Sequence, residues 1–369
     1  MIIGVPREQK EEEYRVAILP QGVQKLTESG HKMLLEQGAG KGAGIEDDVY
    51  KNKGAKIVSE HGKVFEKAEL ILKVKEPKES EYNLLQEGQL MFSYFHFASS
   101  RSLTEAMLKR KIVAFAYETL EEDGRLPLLI PMSEIAGKLS VQEGIRFLGN
   151  QFGGKGILLG GATGVRPGKV LVLGGGTVGE NAARVAAGLG AEVTILDINV
   201  KRLRFLKKVL PENVKLLYFN KDTLREELPT SDLVIGAVLI PGAKAPKLIS
   251  REMLKIMQPK SVIVDVAIDQ GGCIETSHPT TYKDPVYVVD GIIHYCVANL
   301  PGAVGRTATF ALCNVTFPYV LLLAERGEKA IKENMALRSA LNLYRGRVTS
   351  KVLAETFGME YHVAEKILY

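Results

Sequence analysis

Short apolar runs alternate with longer amphipathic segments along most of the chain. This alternation is typical of βαβ units and predicts parallel sheets. In the first third of the chain, the runs that we expect to form strands are Ile2–Gly4, Lys32–Leu35, Leu70–Val74, Gln89–Ser93 and Ile112–Ala116. The turn-rich segment Glu121–Pro127 follows them and marks a boundary.

A second series of apolar runs begins beyond this boundary. Ser133 is placed to cap a helix over about Glu134–Gln151. The strands predicted after it are Val170–Leu173, Glu192–Leu196, Lys215–Phe219, Leu233–Ala237, Val262–Val266 and Val286–Val289. Six strands with helices between them are typical of a doubly wound nucleotide-binding sheet. From about Arg306 to its end, the chain is predicted to be helical.

Composition and charge narrow the class of protein. Hydrophobic residues make up 46% and charged residues 25% of a 369-residue chain, which predicts a globular protein of two domains. The formal charge of +5 is small for this length, and Lys and Arg are scattered among Glu and Asp. The sequence contains no basic arm and no basic–aromatic alternation, so we expect no nucleic-acid partner.

No segment predicts membrane insertion. The N-terminal residues contain no apolar stretch long enough for a signal peptide. The most apolar late segment, Phe310–Ala324, includes Asn314, Thr316 and Pro318 and is shorter than a bilayer-spanning helix. We therefore expect a buried helix there, no membrane partner and a cytoplasmic location.

The cysteines predict neither disulfides nor a metal site. Cys273, Cys296 and Cys313 form no CxxC pair, and their odd number leaves no closed disulfide framework, so reduced thiols are expected. His294 lies close to Cys296 in sequence, but no second pair at ligand spacing accompanies them. We therefore expect no metal.

The strongest motif is a glycine triplet between a predicted strand and a predicted helix. Gly174, Gly176 and Gly179 form G-x-G-x-x-G. In dinucleotide-binding domains the first glycine permits a tight turn, the second lets the backbone approach a pyrophosphate, and the third lets helix pack on strand. The N-terminus of the following helix offers free N–H groups to the phosphates. The alternative is a glycine-rich turn in an unrelated fold.

An acidic residue accompanies this motif. Asp197 ends the next predicted strand, near the spacing of about 20 residues expected for a ribose-binding acid. A carboxylate there can accept the adenosine 2′-hydroxyl and repels a 2′-phosphate, which favours NAD over NADP. Arg202, in contrast, favours NADP, because an arginine can pair with the 2′-phosphate.

Four further polar residues follow predicted strands. Arg15 lies in the loop after the first strand, Lys75 ends Leu70–Lys75, His96 follows Gln89–Ser93, and Asp269 follows Val262–Val266. Ligands of open parallel sheets bind beyond the carboxyl ends of the strands, so these groups are candidates for a substrate site.

Each candidate also has a structural alternative. Arg15 could be a solvated charge among nearby glutamates, and Lys75 could pair with Glu76. His96 could be a hydrogen-bonded core histidine, and Asp269 could cap a turn before Gly271.

At these residues the chain resembles the bacterial-type alanine dehydrogenase family. The matching segments run nearly end to end. Besides the glycine triplet they are Gly4–Glu8 (GVPRE), Glu13–Ala17 (EYRVA), Ile71–Pro77 (ILKVKEP), Phe95–Ala98 (FHFA), Pro131–Gly137 (PMSEIAG), Gly153–Gly161 (GGKGILLGG), Val264–Cys273 (VDVAIDQGGC) and His294–Val304 (HYCVANLPGAV).

The resemblance implies an NAD-dependent L-alanine dehydrogenase that interconverts L-alanine with pyruvate and ammonium. It implies that Arg15 and Lys75 bind substrate and that His96 and Asp269 perform acid–base catalysis. The residues implied to bind NAD are Ser133, Gly174, Gly176, Thr177, Val178, Gly179, Asp197, Arg202, Asn220, Val238, Leu239, Ala267, Ile268, Asp269, Val297, Ala298, Asn299 and Leu300.

The resemblance also implies an architecture. The fold class is α/β with two doubly wound domains. A Rossmann NAD-binding domain (130–305) is inserted in a discontinuous substrate domain (1–129 and 306–369), and the assembly is a homo-oligomer, a hexamer. The chain departs from the family at Gly305, where proline is usual, at Ala308, where serine is usual, and at His278 and Tyr282, where arginine and histidine are frequent.

Two classes of alternative function remain open. One is a related enzyme, either a soluble NAD-binding protein of the transhydrogenase type or a saccharopine-type dehydrogenase. The other is a catalytically silent NAD-binding protein, against which the presence of all four polar candidates argues.

Overall fold

The computed structural model describes residues 1–238 and 245–367. The chain forms two compact units. The first consists of Met1–Met132 together with the chain from Gly302 onward, and the second is Ser133–Pro301. Each unit is built around its own β-sheet.

The strands of the described residues are, in chain order, β1 (Ile2–Val5), β2 (Lys32–Glu36), β3 (Lys56–Val58), β4 (Leu70–Lys75), β5 (Leu90–Tyr94), β6 (Val113–Ala116), β7 (Lys169–Leu173), β8 (Glu192–Asp197), β9 (Val214–Tyr218), β10 (Leu233–Gly236), β11 (Val262–Asp265), β12 (Val286–Val289), β13 (Ile292–Tyr295), β14 (Leu341–Tyr344) and β15 (Arg347–Val348).

The α-helices of the same residues are α1 (Pro20–Glu28), α2 (Asp47–Lys51), α3 (His61–Lys67), α4 (Glu79–Tyr82), α5 (Arg101–Arg110), α6 (Ile130–Leu148), α7 (Thr177–Gly188), α8 (Val200–Val209), α9 (Lys221–Glu227), α10 (Arg251–Leu254), α11 (Gly305–Arg326), α12 (Lys329–Glu333), α13 (Met335–Ala340), α14 (Lys351–Phe357) and α15 (Ala364–Ile367).

The sheet of the first unit has the order β15-β14-β6-β5-β4-β1-β2-β3. The strands from β6 to β3 run parallel, and β14 adds antiparallel to β6. The order of the parallel strands reverses between β1 and β4, as in doubly wound folds. The prediction of a wholly helical C-terminal segment is wrong, because β14 and β15 form a hairpin that extends this sheet.

The sheet of the second unit has the order β12-β13-β11-β10-β7-β8-β9. All neighbours are parallel except β12 and β13. Those two join through Asp290 and Gly291, whose φ values of 49° and 81° suit a tight two-residue hairpin turn. Together the two sheets confirm the prediction of an α/β fold with two doubly wound domains.

Each predicted strand is present within a residue or two of its expected ends, whereas β3, β13, β14 and β15 were not predicted. The capping role predicted for Ser133 is wrong. Helix α6 begins at Ile130, with Pro131 in its first turn, so Ser133 lies inside the helix.

Helix α11 contains the apolar segment predicted to be a buried helix. Leu312 and Leu323 are fully buried, but Phe310 is exposed. The continuous helical run Leu300–Arg326 is longer than the apolar segment read from the sequence, and by length and composition alone it could cross a membrane. Half of its most apolar stretch is buried, and one helix of this kind is weak evidence for a membrane segment.

Candidate functional site

The glycine-rich turn connects β7 to α7 in the second unit. Gly174 has φ +99°, a conformation that side-chain-bearing residues rarely adopt, and an added Cβ would lie 2.7 Å from the Ala237 carbonyl oxygen. An added Cβ at Gly179 would lie 1.9 Å from the Gly174 carbonyl oxygen. An added Cβ at Gly176 would meet nothing within 4 Å. The turn therefore combines two tightly packed glycines with one that faces open space.

Helix α7 begins directly after this open position. Gly176 is its N-cap and provides no side-chain cap, so the N–H groups of Thr177, Val178 and Gly179 lack partners within the helix. These donors and the helix dipole can hold an anionic group. Backbone donors, a helix terminus and room beside Gly176 fit the diphosphate of a dinucleotide.

Asp197 lies beside the turn, at the end of β8. One carboxylate oxygen accepts the Gly175 N–H at 2.6 Å, and the other accepts the Asn199 N–H at 2.7 Å. A carboxylate has about four acceptor positions, so Asp197 retains capacity for a ribose hydroxyl.

Arg202 lies in the first turn of α8 and also reaches the glycine-rich turn. Its Nε donates to the Gly175 carbonyl oxygen at 2.5 Å, and its Nη2 donates to the Glu180 carboxylate at 2.6 Å. Its guanidinium also stands 4.8 Å from the Phe205 ring centroid. The arginine is thus engaged by protein groups.

Other predicted cofactor residues follow neighbouring strands of this sheet. Val238 comes just after β10, 3.2 Å from the position of a Cβ built on Gly174. Asn220 caps α9 by accepting the Thr223 N–H at 2.8 Å. Leu239 lies outside the described residues, and Ser133 is half-buried in α6.

A short 3₁₀ helix, Val266–Gln270, follows β11 and carries Ala267 and Ile268, both buried, and Asp269, which is exposed. The turn is capped by Asp265, not by Asp269. Besides the Ala267 N–H, the buried Asp265 carboxylate accepts the N–H groups of Cys273 at 2.9 Å and Ile274 at 3.2 Å. Sequence reasoning missed this carboxylate, which fixes the loop that presents Asp269.

The remaining predicted cofactor segment follows β13. Val297 and Leu300 are buried, whereas Ala298 and Asn299 are partly exposed. The Leu300 carbonyl accepts the Tyr282 hydroxyl at 2.8 Å. Tyr282, one of the departures from the family pattern, therefore holds this segment in place.

In the first unit, Arg15 is buried and is not a solvated charge. Its Nε donates to one oxygen of Glu13 at 2.6 Å, and its Nη2 donates to the other at 2.5 Å. Nη1 lies 3.1 Å from the Met132 sulfur. One edge of the guanidinium fork is therefore occupied by Glu13, a partner that sequence reasoning did not assign.

Lys75 ends β4 and is buried, with Tyr94 as its register partner on β5. The alternative pairing partner, Glu76, binds Lys10 at 2.8 Å. The neighbouring Lys73 is fully buried and is paired with Glu81 at 2.9 Å and with Glu8 at 3.4 Å. The two lysines thus have different surroundings.

His96 follows β5 and has a left-handed backbone, with φ 50° and ψ 41°. Its residue surface is exposed, and its ring stacks on Tyr94 with centroids 5.9 Å apart. Within the described residues neither ring nitrogen has a hydrogen-bond partner, unlike a core histidine. Desolvation lowers the pKa of His96, and the positive charges of Lys75, Lys10 and Arg15 lower it further, against Glu76.

Glu118 holds the backbone of His96 in place, a role that sequence reasoning did not predict. It follows β6, the neighbour of β5, and its carboxylate accepts the backbone N–H of His96 at 2.5 Å and that of Phe95 at 3.3 Å. Burial raises the pKa of Glu118 to about 7, although these N–H groups and Lys75 oppose the shift. The carboxylate thus stabilises a backbone conformation that is unusual for histidine.

Arg15, Lys75 and His96 are within electrostatic reach of one another in the first unit. Asp269 belongs to the second unit.

The described residues contain no cluster of three or more potential metal ligands. All three cysteines are unpaired and buried.

Comparisons with known proteins cover almost the whole chain. Residues 4–136 match the N-terminal domain and residues 140–351 the C-terminal domain of the family described as alanine dehydrogenase/PNT. An alanine dehydrogenase of Methanococcus maripaludis is 52% identical over 371 aligned residues, covering all of both chains.

Solved structures agree with this assignment. The structure of an L-alanine dehydrogenase matches with a TM-score of 0.94 and 49% identity, covering 97% of this chain and 99% of the other. A transhydrogenase from Sinorhizobium meliloti matches with a TM-score of 0.80 and 25% identity, covering 95% and 99%. The chain belongs to the alanine dehydrogenase/PNT family.

Proposed function

We propose that this protein is an NAD-dependent L-alanine dehydrogenase, which converts L-alanine, NAD⁺ and water reversibly to pyruvate, ammonium, NADH and a proton. The observation that carries the proposal is full-length identity of about one half to proteins named alanine dehydrogenase. The intact set Arg15, Lys75, His96 and Asp269 supports it.

The second unit is the NAD-binding domain in this proposal. The first turn of α7 binds the diphosphate, and Asp197 accepts a hydroxyl of the adenosine ribose. The predicted contacts from Ser133, Asn220, Val238, Ala267, Ile268 and Val297–Leu300 belong to the same proposal. Bound NAD would supply the hydride acceptor, and these residues would supply its position and the surrounding electrostatics.

The first unit binds the substrate. Arg15 and Lys75 provide two positive charges for the carboxylate that alanine and pyruvate share. Both oxygens of Glu13 bind the Nε–Nη2 edge of Arg15. Glu13 thereby orients the arginine, and Lys75 acts as a point charge near the carboxylate or carbonyl.

His96 and Asp269 move the protons. A lowered pKa keeps His96 neutral at pH 7, so it can accept a proton during alanine oxidation and return it in the reverse direction. Asp269 is an exposed carboxylate on a loop fixed by Asp265, and it acts on water or ammonia and stabilises a cationic imine of the substrate.

We propose a cytoplasmic homohexamer as the working assembly. Light scattering, which measures the mass of the assembly, tests the oligomeric state.

The deciding assay is NADH oxidation with each substrate omitted in turn. We expect oxidation only when pyruvate and ammonium are both present. Oxidation with neither, but with a second nucleotide as acceptor, would instead favour a transhydrogenase-type activity. NADH binding without turnover on any 2-oxo acid would indicate a catalytically silent protein.

A further inference from the structure

The contacts of Arg202 raise a question about nucleotide choice, which rests on the proposed NAD-binding function. Arg202 lies five residues beyond Asp197, at the edge of the glycine-rich turn. An arginine in this region commonly pairs with the 2′-phosphate of NADP. Here its Nε and Nη2 donors bind Gly175 and Glu180.

Glu180 occupies an unusual position for a carboxylate near a diphosphate. It is in the first turn of α7, where its negative charge would oppose a bound phosphate. One of its oxygens binds Arg202 at 2.6 Å, and the other binds Arg184 at 3.1 Å. The Arg202 and Glu180 side chains are 27% and 21% exposed, so solvent screens their attraction only in part.

This pairing has opposite consequences for the two nucleotides. With Glu180 in place, the positive charge of Arg202 is balanced and its donors are directed to the turn. Asp197 then dominates the charge near the ribose and repels a 2′-phosphate. Without Glu180, the guanidinium would keep its Gly175 hydrogen bond and its contact with the Phe205 ring, and its freed Nη2 could turn toward added negative charge.

We propose that Glu180 is a specificity-determining residue, which favours NAD over NADP by holding Arg202 away from a 2′-phosphate. The role is indirect, since Glu180 acts through Arg202. It therefore predicts a change in the ratio of two affinities and not a general loss of binding.

The test measures equilibrium binding of NADH and NADPH by nucleotide fluorescence, without substrate, in wild type and Glu180→Gln. We expect the ratio Kd(NADPH)/Kd(NADH) to fall by about tenfold, the scale of one charge-assisted hydrogen bond gained by the 2′-phosphate. Glu180→Asp retains the charge but shortens its reach, so it should lower the ratio in the same direction even if Glu180→Gln folds poorly.

Two controls separate this effect from net charge and from local packing. Glu192→Gln removes an exposed charge at the opposite end of β8, and Arg184→Ala removes the other partner of Glu180. Neither should change the ratio. In the double variant Glu180→Gln/Arg202→Gln, the gain in NADPH affinity should disappear.

The outcomes distinguish the two proposals. A wild-type protein that binds neither nucleotide would overturn NAD binding and, with it, the role of Glu180. Tight NADH binding by wild type with an unchanged ratio in both Glu180 variants would overturn only the role of Glu180. A gain that persists without Arg202 would overturn it as well.

Discussion

The two sheets share one strand order but have different groups at their carboxyl ends. Reading from the edge, β3-β2-β1-β4-β5-β6 in the first unit corresponds to β9-β8-β7-β10-β11-β13 in the second. Beyond β7 the second unit presents a turn of glycines and the start of a helix. Beyond β1, β4 and β5 the first unit presents Arg15, Lys75 and His96.

The difference shows two ways of building a site on one topology. In the second unit the proposed ligand-binding groups are backbone donors. Their arrangement requires space, which a single added Cβ at Gly179 would remove. In the first unit the candidate groups are two cationic side chains, Arg15 and Lys75, and one titratable side chain, His96. Activity and stability should therefore depend on side-chain charge and pH in the first unit, and on side-chain volume at the glycine-rich turn in the second.

The largest effect is expected on kcat, from substitution of the proposed acid–base residues His96 and Asp269. A positioned acid or base typically raises the rate about 10²–10⁴-fold. His96→Ala should therefore lower kcat by that factor, which corresponds to a rise of roughly 3–5 kcal/mol in the activation barrier. Asp269→Asn should lower kcat on a similar scale. In His96→Ala the NADH Kd should stay within about twofold, because this change leaves the glycine-rich turn and the other predicted NAD contacts intact. The three quantities are measured separately, as kcat, NADH Kd and melting temperature.

Lost stability with retained turnover would contradict a catalytic role for these residues. A variant at His96 that melts earlier but turns over normally per folded molecule would make the histidine structural. Glu118→Gln gives a finer comparison, since it can still accept the backbone N–H groups at reduced strength and should lower kcat less than His96→Ala does.

The next largest effect concerns stability of the first unit. His61 binds Glu36 at 2.6 Å and Glu81 at 3.1 Å, and these hydrogen bonds raise its pKa to about 9. A pKa raised from 6.5 means that this stabilisation is complete below about pH 6.5 and is lost as pH rises through 9. The shift corresponds to at most about 3 kcal/mol.

The measurement is the free energy of unfolding of wild type and His61→Gln at pH 6 and at pH 10. The difference between the two proteins should be large at pH 6 and small at pH 10. His31→Gln is the matched control, because desolvation and the N-terminal amine lower the pKa of His31. A His61 difference that does not depend on pH would contradict the charged network.

The smallest effect concerns volume in the second unit. Gly179→Ala places a methyl group against the Gly174 carbonyl, and overpacking of this kind costs about 1–3 kcal/mol. NADH binding should weaken with it. Gly188→Ala in the same helix meets nothing within 4 Å and should stabilise the protein by about 0.5–1 kcal/mol. Equal effects of the two substitutions would remove the proposed requirement for space.

Much of the fold could be predicted because its signals are local. Apolar runs between polar segments located the central strands, and the roles of Gly174 and Gly179 followed from motif spacing. The strands that were not predicted, β3, β13, β14 and β15, are short and gave weaker signals. In β3, Lys56 is exposed and the other two residues are only partly buried, and β14 pairs with β6, which is far away in sequence.

The partners of the candidate residues were harder to predict for the same reason. Arg15 and Lys75 stood out by type and position, but the engagement of Arg15 by Glu13 depends on burial, which sequence does not show. The Glu118–His96 contact joins residues 22 positions apart through neighbouring strands. Contacts of this kind become visible only when the strand order is known.

The C-terminal hairpin has a consequence for biosynthesis. Strand β14 covers the edge of β6, pairing Leu343 with Ala114 and Tyr344 with Val113. A ribosome makes β6 long before β14, and it completes Ser133–Pro301 in the interval. The nascent chain therefore carries β6 as an open sheet edge, a known route to aggregation, until the last tens of residues emerge. The second unit has all its strands by then, so translation favours its folding first and makes closure of the first sheet the late step.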